Sequence, residues 1–327
     1  MRAWRVHELG EPKDVLRLDQ VDDPVAGPGQ LLLKVKATAL NFPDALLCRG
    51  QYQVRPPLPF TPGVELCGEV VALGEGASGY AIGDRVIATP APPHGGLAEL
   101  VAVNAAEVLP APESLDDAQA ASLHIAYQTG WFGLHRRAGL DEGETLLVHA
   151  AAGGVGSAAV QLGKAAGATV IGVVGGPAKA EVAKQLGADL VIDRKSEDVI
   201  ATVKEFTGGR GADVIYDPVG GDSFRASTKV VAFEGRIVIV GFASGEIPSA
   251  ALNHALVKNY SLLGLHWGLY VGKDPASIRE AHLELSALAE QGLISPLVSE
   301  RLPLEQAADG MQRLAGGETT GRVVITF

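Results

Sequence analysis

Two stretches of this chain hold residue types whose spacing could do chemistry. The first, PFTPGVELCGEVVALGEG at 59–76, sets a carboxylate, Glu65, two residues from a thiol, Cys67. Two apart on a strand they share a face, and both are metal-ligand types. The stretch offers no imidazole beside them, so alone it does not make a metal site. The second, TLLVHAAAGGVGSAAVQLGKAAGATVIGVVGG at 145–176, reads as strand, glycine-rich turn, helix and second strand. That order is the setting a dinucleotide fingerprint needs. Gly153 lets the backbone approach a pyrophosphate, and Gly156 lets the helix pack against the sheet. The N–H groups of Gly154 and Val155, at the helix N-terminus, would bind the phosphates. Ala151 stands where the pattern's first glycine belongs, and the β-α-β setting compensates for it.

The end of the second strand decides which dinucleotide fits. NAD sites place an acidic side chain there to accept from the ribose hydroxyls. This chain has Gly175–Gly176 instead, with Lys179 just beyond and Arg194 after the third strand in VIDRKSED. Glycine leaves room for a 2′-phosphate, and the two cations can give it charge-assisted hydrogen bonds. The expected cofactor is therefore NADPH.

The elements that must position these residues are legible in outline. Short apolar runs split by Pro/Gly clusters fill the first third and predict a β-rich unit, a small barrel. From Pro112 the pattern turns helical, with Ser114 as an expected N-cap and Asp116 and Asp117 at the positive helix end. Buried strands then alternate with amphipathic helices, which predicts an α/β doubly wound parallel sheet. Gly167, Gly187 and Gly208 sit where helix C-terminal caps belong. After NYSLLGLHW come two helical stretches and a closing strand, RVVITF, whose expected host is the β-rich unit.

Composition narrows the partners. The 327 residues are 47% hydrophobic and 20% charged, with a formal charge of −11 that argues against nucleic acid and anionic membrane. Two cysteines, Cys48 and Cys67, leave no disulfide framework and favour a reducing compartment. The N-terminal stretch lacks a signal-peptide core, and no apolar run is long enough to span a bilayer. The expected location is cytoplasmic. No Gly-x-Ser-x-Gly or Ser/His/Asp arrangement suggests hydrolysis.

The pieces NFPDALLCRGQY, PFTPGVELCGEVVALGEG, GDRV, LLVHAAAGGVG and TTGRVVITF together resemble the medium-chain dehydrogenase/reductase superfamily, in its zinc-free NADPH:quinone oxidoreductase branch. The resemblance implies a Rossmann-type sheet at 123–262 and a GroES-like β-barrel catalytic domain at 1–122 completed by 263–327. Zinc members carry Cys, His and Cys ligands where this chain has Asn41, Val64 and Ile125, so it implies no metal. A pocket without that cation needs an electron-poor hydride acceptor. The implied reaction is hydride transfer to a quinone; the alternative is reduction of a conjugated C=C bond in an enone, enoate or acryloyl thioester. A third reading is a structural protein that binds NADPH without turnover.

From the resemblance Tyr52 is a candidate donor, with Leu46 standing where some relatives have a second tyrosine. Asn41 is expected to hold the nicotinamide ribose or the substrate oxygen, and Asp44 to be structural. Phe42, Tyr52 and Trp267 would line the substrate. Thr129, the loop Gly241–Phe242–Ala243, and His266 and Trp267 would face the cofactor, since ligands sit beyond the carboxyl ends of such strands. The family expectation is a homodimer, paired through RIVIVGF as an edge strand.

Overall fold

In chain order the strands are β1 (Arg2–Val6), β2 (Leu16–Gln20), β3 (Gln30–Ala39), β4 (Leu66–Leu73) and β5 (Arg85–Ala88). Next come β6 (Leu100–Asn104), β7 (Leu109–Pro110), β8 (Thr145–His149), β9 (Thr169–Val174) and β10 (Leu190–Asp193). The last five are β11 (Ala212–Asp217), β12 (Val231–Ile239), β13 (Ser261–Gly264), β14 (Val298–Pro303) and β15 (Arg322–Thr326). The computed structural model describes all 327 residues. They divide into a first unit, Met1–Ile125 with Pro296–Phe327, and a second, Ala126–Ser295.

The first unit is built on a seven-stranded sheet in the order β14-β15-β3-β4-β5-β7, with β6 pairing β3 on its free stretch. β3 alternates buried and less buried residues from Gln30 to Ala37, the period-two pattern of a strand with one face in the core, and is buried on both faces at its end. Its Leu31, Leu33 and Val35 pack with Val70, Val86 and Val101. The closing strand β15 finds the predicted host: it runs antiparallel to β3, matching Val324 to Ala39. The helix expected after Pro112 begins later than Ser114. Asp116 is its N-cap, accepting from Gln119 N at 2.9 Å, while Gln119 returns a bond to Asp116 N.

The second unit is a six-stranded, all-parallel sheet in the order β10-β9-β8-β11-β12-β13. The order reverses between β8 and β11, so this is the doubly wound sheet predicted from the alternation. Ligands bind such sheets at the carboxyl ends beside that switch point. Gly167, Gly187 and Gly208 take positive φ at helix ends, as C′ residues do.

Two expectations about connectivity change. The chain returns to the first unit at Pro296 rather than at 263, because β13 extends the parallel sheet and the helices Gly268–Lys273 and Pro275–Glu290 stay with it. RIVIVGF lies mostly in β12, which β11 and β13 flank on both sides, so the edge strand is β13. No helix is long and apolar enough to cross a membrane.

Candidate active site

In the first unit, β3 runs straight into Asn41, which caps the helix Phe42–Cys48. Asp44 in the first turn answers the cap: its Oδ2 accepts from Asn41 N at 2.9 Å. Its Oδ1 accepts from Gly63 N at 2.8 Å and Val64 N at 3.1 Å. Burial nevertheless pushes the Asp44 carboxyl up to about 6, against the pull of those three N–H donors. Asp44 thus fastens the 41–44 turn to the 63–64 turn, the structural role expected of it.

Glu65, fully buried just ahead of β4, is the centre of a second cluster. Its Oε1 accepts from Asn41 Nδ2 at 2.9 Å and pairs with the Arg322 guanidinium. Its Oε2 accepts from Ile125 N at 2.8 Å. Burial pushes the Glu65 carboxyl up, while the Arg322 charge, the Ile125 N–H and the Asn41 amide pull it down. Cys67 does not join this cluster. Its thiol, raised to about 12 by burial, faces Asp117 Oδ1 at 3.7 Å. The apparent Glu65–Cys67 pair therefore dissolves, because Glu65 precedes the strand and the two side chains have no partner in common. No group of three or more His, Cys, Asp or Glu side chains could hold a metal ion.

Tyr52 follows the Asn41 helix and packs, half-buried, on the cluster containing Trp4, Leu47 and Phe60. Its hydroxyl makes no hydrogen bond within the protein, and burial, with the Asp44 charge, raises its pKa. It stays a protonated donor at neutral pH. Phe42 is the first residue of the helix that Asn41 caps, and is also half-buried.

The second unit presents open donors where the first is saturated. Gly153 is the N-cap of the helix Gly154–Ala165, and of its first-turn amides only Ser157 N finds a carbonyl, that of Gly153 at 2.8 Å. The N–H groups of Gly154, Val155 and Gly156 have no backbone carbonyl partner. Gly156 is obligatory: a Cβ there would lie 2.1 Å from Ala150 O. Past β9, a Cβ on Gly175 would meet the Arg194 guanidinium at 3.4 Å, so that cation lies against the glycine pair. Burial and the charges of Lys195 and Arg194 lower the Lys179 pKa. Three cations thus gather near one glycine turn, where Asp193 Oδ1 accepts from Gly176 N at 2.8 Å and Lys195 N at 3.0 Å. Lys195 was missed from the sequence, although it adjoins Arg194 in VIDRKSED.

The other expected cofactor residues lie on the loop after β12, on the segment after β13 and on the helix His124–Trp131. Phe242 in the loop after β12 is 38% exposed and lies over Gly220, where a Cβ would be 2.8 Å from its ring. Gly241 and Ala243 flank it, with Ala243 N bonded to Pro218 O at 3.1 Å. Thr129 is buried in the helix His124–Trp131. Trp267 Nε1 donates to Gln128 Oε1 at 3.2 Å. His266 is exposed and lines a cavity of about 230 Å³ with Arg137, Leu269, Tyr270 and Lys273. One buried contact looks hydrolytic: His149 Nε2 lies 2.9 Å from Ser227 Oγ. Ser227 is fully buried and donates to Ser223 O at 2.8 Å, so it has no substrate to attack.

Comparison with known proteins decides the family. The alcohol dehydrogenase GroES-like domain matches residues 27–113, and the zinc-binding dehydrogenase domain matches 154–286. A quinone oxidoreductase-like protein 2 homolog from Nematostella vectensis is 39% identical over 99% of this chain and 88% of its own length. The chain belongs to the quinone oxidoreductase-like group of the medium-chain dehydrogenase/reductase superfamily. The crystal structure of Escherichia coli quinone oxidoreductase complexed with NADPH superposes with a TM-score of 0.92 at 29% identity, covering all of both chains. A segment of the Mycobacterium tuberculosis phthioceranic/hydroxyphthioceranic acid synthase is 32% identical over 91% of this chain, which spans 14% of that much longer protein. The first unit is thus GroES-like, the second Rossmann-type, and the protein is an oxidoreductase.

Proposed function

We propose that this oxidoreductase uses NADPH to reduce a quinone and does so without zinc. One observation carries the reading: the donor set at the three family ligand positions. Asn41, Val64 and Ile125 offer no thiolate or imidazole, and the carboxylates beside them, Asp44 and Glu65, are committed to backbone N–H groups, Asn41 and Arg322. A catalytic zinc takes about three protein ligands of N, S or O type. A pocket of this composition does not polarise an ordinary alcohol or ketone, so the acceptor must arrive electron-poor.

NADPH supplies the hydride when bound. The residues that fit it are the open amides of Gly154 and Val155 for the pyrophosphate and Lys179, Arg194 and Lys195 for the 2′-phosphate. Gly175 adds no carboxylate of its own at that turn, where the Asp193 carboxylate accepts from Gly176 N at 2.8 Å and Lys195 N at 3.0 Å. On the acceptor side, Tyr52 presents an unpaired, protonated hydroxyl to the oxygen on which negative charge develops. One such donor is typically worth about a hundred- to a thousandfold in rate. Phe42 and Trp267 supply lining. Mixing the protein with NADPH and a quinone panel tests the reading. Quinone-dependent loss of absorbance at the nicotinamide band is expected, and no oxidation above background overturns it.

A second reading, reduction of a C=C bond conjugated to a carbonyl, uses the same residues. It is favoured by the likeness to part of an enzyme named as an acid synthase. A specificity constant for an enone or enoyl thioester well above that for every quinone decides for it.

We also assign the protein to the cytoplasm and to a homodimer. The helix Leu252–Lys258 leaves Leu252, Leu256 and Val257 about three-quarters exposed, and β13 is an uncovered edge strand. A twofold mass in light scattering is expected.

A further inference from the structure

Asn41 can be accounted for atom by atom. Its Nδ2 has two hydrogens, and both have acceptors: Ala39 O at 3.1 Å and Glu65 Oε1 at 2.9 Å. Its Oδ1 accepts from Arg322 Nη1 at 2.9 Å. Turning the amide over would set an N–H against the guanidinium and the oxygen against a carboxylate and a carbonyl. All three contacts would be repulsive. The side chain is 4% exposed, so water cannot relieve them.

Arg322 is placed to impose this orientation. It opens β15, whose Val323 O accepts from Leu40 N at 2.9 Å, so the strand runs alongside Asn41. One guanidinium nitrogen meets Asn41 and another meets Glu65, and a planar fork spans two acceptors in a way a lysine ammonium does not.

We infer that Arg322 is a positioning residue that holds the Asn41 amide oxygen-first, so that Asn41 offers a ligand one acceptor and no donor. The inference rests on the proposed reading of Asn41 as a site residue and sharpens it. What Asn41 can take is a hydroxyl or an N–H, such as a ribose hydroxyl of the dinucleotide. It cannot stabilise a carbonyl oxygen as charge builds there; that falls to Tyr52.

A double-mutant cycle on NADPH affinity, read from nucleotide fluorescence, tests this. Asn41→Ala and Arg322→Lys are each expected to weaken binding about tenfold, or 1.4 kcal/mol, and the double variant no more than Asn41→Ala alone. Full affinity in Arg322→Lys, or losses that multiply in the double variant, overturns the positioning role. Full affinity and turnover in Asn41→Ala overturns instead the reading of Asn41 as a site residue. If Arg322→Lys does not fold, Arg322→Met with Glu65→Leu removes both buried charges together and takes its place in the cycle, with the same expected outcomes. In the Arg322 variants the Tyr52-dependent part of kcat, measured as the ratio to Tyr52→Phe in each background, is expected to stay as in the wild type. A merely structural lesion would lower it.

Discussion

The two halves of the machinery handle hydrogen bonding in opposite ways. Around Asn41, Asp44, Glu65 and Arg322 nearly every donor and acceptor has an internal partner. Around Gly153 the amides of the helix start are open, and Lys179, Arg194 and Lys195 gather beside Gly175, where the Asp193 carboxylate accepts from Gly176 N and Lys195 N. A region proposed to bind the dinucleotide phosphates keeps helix-start donors open. A region that must stay dry and rigid satisfies itself, because an unpaired buried polar group is costly.

The contrast can be broken most severely at Gly156. Gly156→Val drives a side chain into the Ala150 carbonyl, and NADPH binding is expected to fall at least a hundredfold, with a lower melting temperature. In the saturated region, Arg322→Ala removes the cation paired with the buried Glu65; urea denaturation should show a loss of about 3–5 kcal/mol. The open region should respond in affinity rather than stability. Arg194→Ala with Lys195→Ala is expected to weaken NADPH by about 1.5–3 kcal/mol and leave NADH unchanged in parallel titrations.

A smaller effect separates the halves by pH. Burial holds the folded Asp44 carboxyl at about 6, above its unfolded value of about 3.9. A raised carboxyl pKa stabilises the fold while the group is protonated, and that contribution is lost as pH rises through 6. The stability lead of wild type over Asp44→Asn is therefore expected to shrink between pH 4 and 7, read from urea midpoints. A lead that grows over that range overturns the assignment. At the exposed surface of the second unit, Arg225→Gln, which removes the ion pairs with Asp222 and Glu246, should leave the urea midpoint unchanged.

Much of this was legible in the residue order, because the informative signals were local. The alternation of buried runs and amphipathic helices gave the parallel sheet, and AAAGGVG between strand and helix marked the turn that opens the helix Gly154–Ala165. The Gly175–Gly176 pair marked the turn that the Arg194 guanidinium lies against. What stayed hidden was short or distant. β13 has four residues and no alternation, so the chain's return was placed too early. Asp116 outcompeted Ser114 as N-cap because Gln119 completes its capping box. Arg322 sat unnoticed in TTGRVVITF, since its partners Asn41 and Glu65 lie 281 and 257 residues away. No local pattern reports a pairing of that span.

That span also orders events during synthesis. Residues 126–295 are contiguous, so the second unit can close on itself without the C-terminal strand. The amino-terminal unit, although made first, must wait for β15 to seal its sheet and bring the cation that Glu65 needs. Until then it carries an exposed strand edge and an unmatched carboxylate, which makes the nascent chain's earliest third its last to mature.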